Sequence, residues 1–79
     1  MMICVEGIII PANWDENGNV VDLAIATSDE KEYLITDKSQ VARLKPLLRQ
    51  EVVITGFLKA KKWEDIISVK KLRKPINQA

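Results

Sequence analysis

The run Lys59-Ala60-Lys61-Lys62-Trp63-Glu64-Asp65 sets three lysines ahead of a tryptophan. An indole offers a flat surface on which a base or sugar ring stacks, and ammonium groups beside it neutralise phosphate. Basic residues interleaved with an aromatic therefore suit a loop that holds a single strand. Lys70, Lys71, Arg73 and Lys74 carry the positive charge onward. The only other tryptophan is Trp14, and each ring is followed at once by two acids, Asp15-Glu16 and Glu64-Asp65. Those carboxylates oppose phosphate. The competing role for each ring is structural: a chain this short needs large core residues, and a tryptophan at a strand end can fold back over an open core. For the lysines, the competing role is a plain solvated surface.

Other chemistries lack their residues. Histidine is absent and Cys4 is the only cysteine, so the commonest general base, a Cys-His pair and a zinc site are all excluded. Gly7, Gly18 and Gly56 stand too far apart to form a phosphate-cradling loop. The paired carboxylates fall on loops, where they are solvated charges rather than a catalytic dyad in a pocket. The expectation is a non-enzyme with no metal and no cofactor.

At 79 residues the chain is one domain, spanning 1–79, and 47% hydrophobic residues supply a single core. Cys4, near the start of an apolar strand, reads as a small buried hydrophobe in a reducing, cytoplasmic setting. Ile8-Ile9-Ile10 is too short for a signal core or a membrane span. The net charge of +1 hides an asymmetry, since residues 1–37 hold one base and eight acids, and residues 38–79 eleven bases and three acids. The two halves form either a dipolar surface or a mutually neutralising pair.

Residues 2–10 read as a strand with Ile3, Val5, Gly7 and Ile9 on one face, bent or bulged at Gly7 and ended by Pro11. Pro11 to Asn19 is rich in turn formers, and Asn17-Gly18 is the strongest hairpin signal. Val20–Thr27 alternates, with Val21, Leu23 and Ile25 inward and Asp22, Ala24 and Ala26 outward. A turn at Ser28-Asp29 leads to a third strand around 31–36, where Tyr33 is either the one aromatic of the outer face or, by alternation, points inward with Ile35. Asp37 and Gln40 have capping-box spacing and open a helix over about 38–45, followed by either a tight turn or a second helical turn that Pro46 begins. Glu51–Ala60, bent or bulged at Gly56 and with Phe57 as core, is the fourth strand. The fifth covers about 65–72 with Ile67 and Val69 on one face, and 74–79 is a frayed tail.

The order is β-β-β-α-β-β, all-β with one short helix. With the fourth-strand run Val52-Val53-Ile54-Thr55-Gly56-Phe57-Leu58, it resembles the OB-fold, a five-stranded Greek-key barrel, over nearly the whole chain. The likeness is to nucleic-acid-binding OB domains of the tRNA-anticodon-binding and single-strand-binding type. An SH3-like barrel lacks a helix of this length between its third and fourth strands. The resemblance implies a ligand surface on strands 2 and 3, flanked by the loops between strands 1 and 2 and between strands 4 and 5. Trp14 falls in the first loop and Trp63 in the second. The site is then Trp14, Lys59, Lys61, Lys62 and Trp63, with Lys70, Lys71 and Arg73 as a secondary strip, and the partner is single-stranded DNA or RNA. The alternative is a protein-interaction or self-assembly module. It accounts for the small residues of strand 2 and for tryptophans rimmed by both charges, and the basic helix face (Arg43, Lys45, Arg49) suits a head-to-tail homodimer.

Overall fold

The computed structural model describes residues 1–75, so residues 76–79 of the expected frayed tail lie outside the described residues. Most of it is strand. The elements are β1 (Met2–Trp14), β2 (Val20–Thr27), β3 (Glu32–Ile35), α1 (Lys38–Leu44), a 3-10 turn over Lys45–Leu47, β4 (Glu51–Ala60) and β5 (Asp65–Arg73). The strands close on themselves in the order β1-β2-β3-β5-β4. β1 pairs with β4 through its first half and with β2 through its second. Side-chain alternation then sends Ile9, Leu23, Ile25, Ile35, Val52, Ile54 and Ile67 inward, and Val41 and Leu44 of α1 join them. Burying side chains of this size contributes about 1.5–3 kcal/mol each.

β1 does not stop at Pro11. The Ile9 N–H donates to the Gln50 carbonyl (3.2 Å) and the Ile9 carbonyl accepts from the Arg49 N–H (2.7 Å), so Ile9 turns its backbone groups toward β4. Two residues on, the Pro11 nitrogen faces the same way, past the start of β4, where its missing donor costs no ladder bond. Pro11 itself pairs with Leu23, and the register shifts between Pro11 and Asn13 and again between Asn13 and Trp14. Those irregularities change which valine of β2 faces in. Val20 packs against the core, and Val21, expected inward, is exposed. Cys4, expected as buried, lies on the outer parity with Glu6 and is exposed.

Gly7 sits where β1 is paired on both sides, to Thr27 and to Val52, and the register there is continuous, so of the expected bend or bulge no bulge forms. Glycine is needed for close approach: a Cβ at this position would collide with the Ala26 carbonyl oxygen. Gly56 is crowded in the same way by the Ser68 carbonyl. There the register does shift, leaving Lys70 as the extra residue of a β-bulge.

β3 is the short side of the closed sheet. It lasts four residues and meets β5, in parallel, at only two register pairs, Tyr33 with Asp65 and Leu34 with Ile66. Farther along β5, α1 substitutes for a strand. The Gln40 Nε2 donates to the Val69 carbonyl (3.2 Å), and the Val69 N–H donates to Gln40 Oε1 (2.9 Å). One side-chain amide thus makes the two bonds that a neighbouring strand residue would make. Only half of the expected capping box forms. Asp37 Oδ1 accepts from the N–H groups of Ser39 (3.0 Å) and Gln40 (3.1 Å) and from the Ser39 hydroxyl (2.6 Å), while the Gln40 side chain is committed to Val69. Pro46 falls inside the 3-10 turn that follows α1, as its missing donor requires.

Two substitutions test this architecture by urea denaturation. Gln40→Ala leaves both backbone groups of Val69 without their partner and lowers stability by roughly 1–3 kcal/mol. Gly7→Ala drives a methyl into the β2 backbone and lowers it by roughly 1–3 kcal/mol or more. An unchanged midpoint in either variant would contradict the corresponding contact.

Candidate nucleic-acid interface

The turn between β4 and β5 is closed by the Lys61 N–H on the Glu64 carbonyl (2.8 Å) and the Glu64 N–H on the Lys61 carbonyl (3.4 Å). Trp63 at its tip is 86% exposed. The Lys62 Nζ stands 5.6 Å from the centroid of its ring, within cation–π range. Trp14 is 56% exposed. Neither indole closes the barrel, which settles the structural role weighed for them above. A shallow recess of about 350 Å³ beneath the tip is lined by Glu32, Lys61, Lys62, Trp63, Glu64 and Asp65.

β4 leads into this turn with a basic and aromatic outer face. Val52 and Ile54 belong to the core, so the opposite parity, which carries Phe57 and Lys59, faces out. Phe57 was expected in the core and is instead 46% exposed. The signal for this is present in the sequence: Phe57 stands an odd number of residues from Ile54 and an even number from Lys59. Phe57 and Lys59 are therefore about 6.7 Å apart on one face, with Lys61, Lys62 and Trp63 in the turn beyond them. On β5, Lys70 is the bulge residue, Lys71 pairs with Thr55 and Arg73 with Val53, and all three side chains are exposed.

Trp14 occupies different surroundings. It is the last residue of β1, paired with Val20, rather than a loop residue. The Asn17-Gly18 turn forms next to it, with Gly18 at φ +83°. The Asp15 carboxylate holds that turn: Oδ1 accepts from the N–H groups of Asn17 (2.9 Å) and Asn19 (2.9 Å). Trp14 thus adjoins the Val20 end of β2. The β4–β5 turn instead borders Glu32, whose register partner is Ala26. The six residue steps from Val20 to Ala26 separate the two ends by about 20 Å. Between them, Ile10, Ala24, Leu34 and Ile66 form one row across β1, β2, β3 and β5 on the outer face. Ala24 in this row is fully buried, and the row meets a cation only where it continues onto β4 at Lys59, the partner of Ile66. Seven of the eight expected site residues (Lys59, Lys61, Lys62, Trp63, Lys70, Lys71 and Arg73) share the β4–β5 hairpin, and Trp14 does not.

The carboxylates with displaced acidities are turn-holders. Hydrogen bonding from the Asn19 backbone lowers Asp15 below its ordinary value, the Thr27 hydroxyl does the same for Asp29, and the Ser39 hydroxyl for Asp37. Among the described residues no group of three or more Cys, Asp or Glu side chains is gathered as metal ligands. No helix among them is long and apolar enough to cross a membrane. Compared with protein-family models, curated proteins and solved structures, the chain matches none.

The lowered aspartates set a pH dependence. A carboxyl whose pKa is lowered by folding adds stability above its unfolded value, 3.8 for these three, and that stability is lost as pH falls through the folded value. Melting temperature is expected to hold steady from neutrality to about pH 5 and to fall below about pH 4. Replacing all three by asparagine (Asp15→Asn, Asp29→Asn, Asp37→Asn) is expected to make that fall shallower. An equally steep fall in the triple variant would assign the acid sensitivity to other carboxylates.

Proposed function

We propose that this chain is an OB-type barrel that binds single-stranded nucleic acid along the outer face of its β4–β5 hairpin. The closed strand order and the helix between β3 and β4 support the barrel type. The observation that carries the function is Trp63, fully presented at the hairpin tip and flanked by Lys61 and Lys62, with Lys59 and Phe57 in line behind it. A stacking ring among ammonium groups suits a strand of bases and phosphates. The row of Ile10, Ala24, Leu34 and Ile66 offers a strand neither charge nor an exposed ring, so the ligand path departs from the β2–β3 surface that the resemblance implied. A cytoplasmic setting belongs to the same reading, because the exposed thiol of Cys4 keeps its reduced form best there.

The test is anisotropy of a labelled mixed-sequence oligonucleotide at two salt concentrations. Trp63→Ala is expected to weaken binding by the stacking contribution of roughly 1–3 kcal/mol, and Trp14→Ala to leave it unchanged. The affinity should fall with salt at a log–log slope of about −0.7 per phosphate contacted. No binding by the parent chain, or loss through Trp14→Ala alone, would refute the proposal.

A further inference from the structure

A groove of about 510 Å³ opens where β3 gives way to α1, lined by Thr36, Asp37, Phe57, Lys59, Ser68 and Lys70 among others. It follows from the topology. β3 ends at Ile35, Gln40 takes over the edge of β5 at Val69, and β5 at Ser68 is left without a strand on its β3 side. Phe57 and Ser68 are register partners at its floor, and Lys59 is the partner of Ile66. The bulge at Lys70 places an extra ammonium group on the same side.

We infer that this groove is a subsite for one phosphorylated nucleotide unit of the strand; the ligand class rests on the single-strand reading above. The volume is within the range of pockets that hold a molecule of this size. Phe57, half-exposed, offers a stacking face for the base. Lys59 and Lys70 supply the cations for its phosphate, and the Thr36 and Ser68 hydroxyls supply short-range donors. Asp37 is the one anion among the lining residues named. It is already bound through Oδ1 to Ser39 and Gln40. The phosphate therefore lies on the lysine side and the donor-bearing edge of a base toward Asp37. Since Phe57 and Lys59 lead into the turn that carries Trp63, a strand anchored in the groove runs up β4 to the hairpin tip.

Amide-resolved NMR of the full chain, titrated separately with 5′-AMP, adenosine and inorganic phosphate, tests the groove directly. AMP is expected to shift the Thr36, Phe57, Ser68 and Lys70 amides saturably, with adenosine and phosphate each binding more weakly. Lys70→Gln, at an exposed position, is expected to weaken AMP roughly tenfold. Phe57→Ala should weaken AMP and adenosine but not phosphate. The unperturbed remainder of each variant's spectrum reports that it is folded. Shifts confined to 61–64, phosphate binding as tightly as AMP, or silence at about 10 mM AMP would overturn the subsite. Oligonucleotide binding by the parent chain with a groove silent to AMP would overturn the subsite alone. AMP seated in the groove with no oligonucleotide binding would uphold the subsite and defeat the wider reading.

Discussion

The two hydrogen bonds between the Gln40 amide and the backbone of Val69 hold the seam on which the closed sheet depends. A sheet that closes must satisfy the backbone groups of every strand, and β3 is too short to do so for β5 beyond Ile66. Water could solvate that edge, but a hydrated gap beside the core would expose Ile67 and Val69. The helix amide instead provides one donor and one acceptor in ladder geometry, and it fixes α1 over the core end where Val41 and Leu44 are buried. The groove at Thr36, Phe57 and Ser68 is the outward side of the same arrangement. Extending β3 to cover β5 would fill it.

Closure also arranges charge. The acidic half of the chain becomes β1, β2 and β3 with their turns, and the basic half becomes α1, β4 and β5. Because β5 and β4 are neighbours, their lysines gather on one hairpin rather than alternating with carboxylates around the barrel. Asp15, Asp29 and Asp37 are bound within their own turns and hold local backbone geometry. The charge asymmetry of the sequence thus becomes a separation between the β4–β5 hairpin and the β1–β3 turns, felt over distances of about 8–10 Å at moderate salt.

Much of this was legible in the sequence wherever one local rule acts alone. The spans of β2 and β4, the helix after Asp37 and the turn at Asn17-Gly18 each follow from alternation, an N-cap or a turn residue. What was not legible depends on neighbours in space. Whether Pro11 ends β1 turns on which side its nitrogen faces, and that depends on where β4 begins. Gln40 at capping-box spacing suits either a local bond or a distant one, and only the short β3 decides between them. Phe57 was assigned to the core by residue type although its parity with Lys59 points outward. For the site, the hairpin lysines and Trp63 were readable as a cluster. The separation of Trp14 from them was not, because it follows from the strand order.

The central claim is that a single strand follows β4 and β5 from the groove at Phe57 to Trp63. Photocrosslinking with an oligonucleotide carrying 5-iodouracil, followed by mass-spectrometric mapping of the adducts, tests it most directly. Adducts at Trp63 and Phe57 are the expected result. Adducts at Trp14 or Tyr33 would return the ligand to the β2–β3 face and contradict the account.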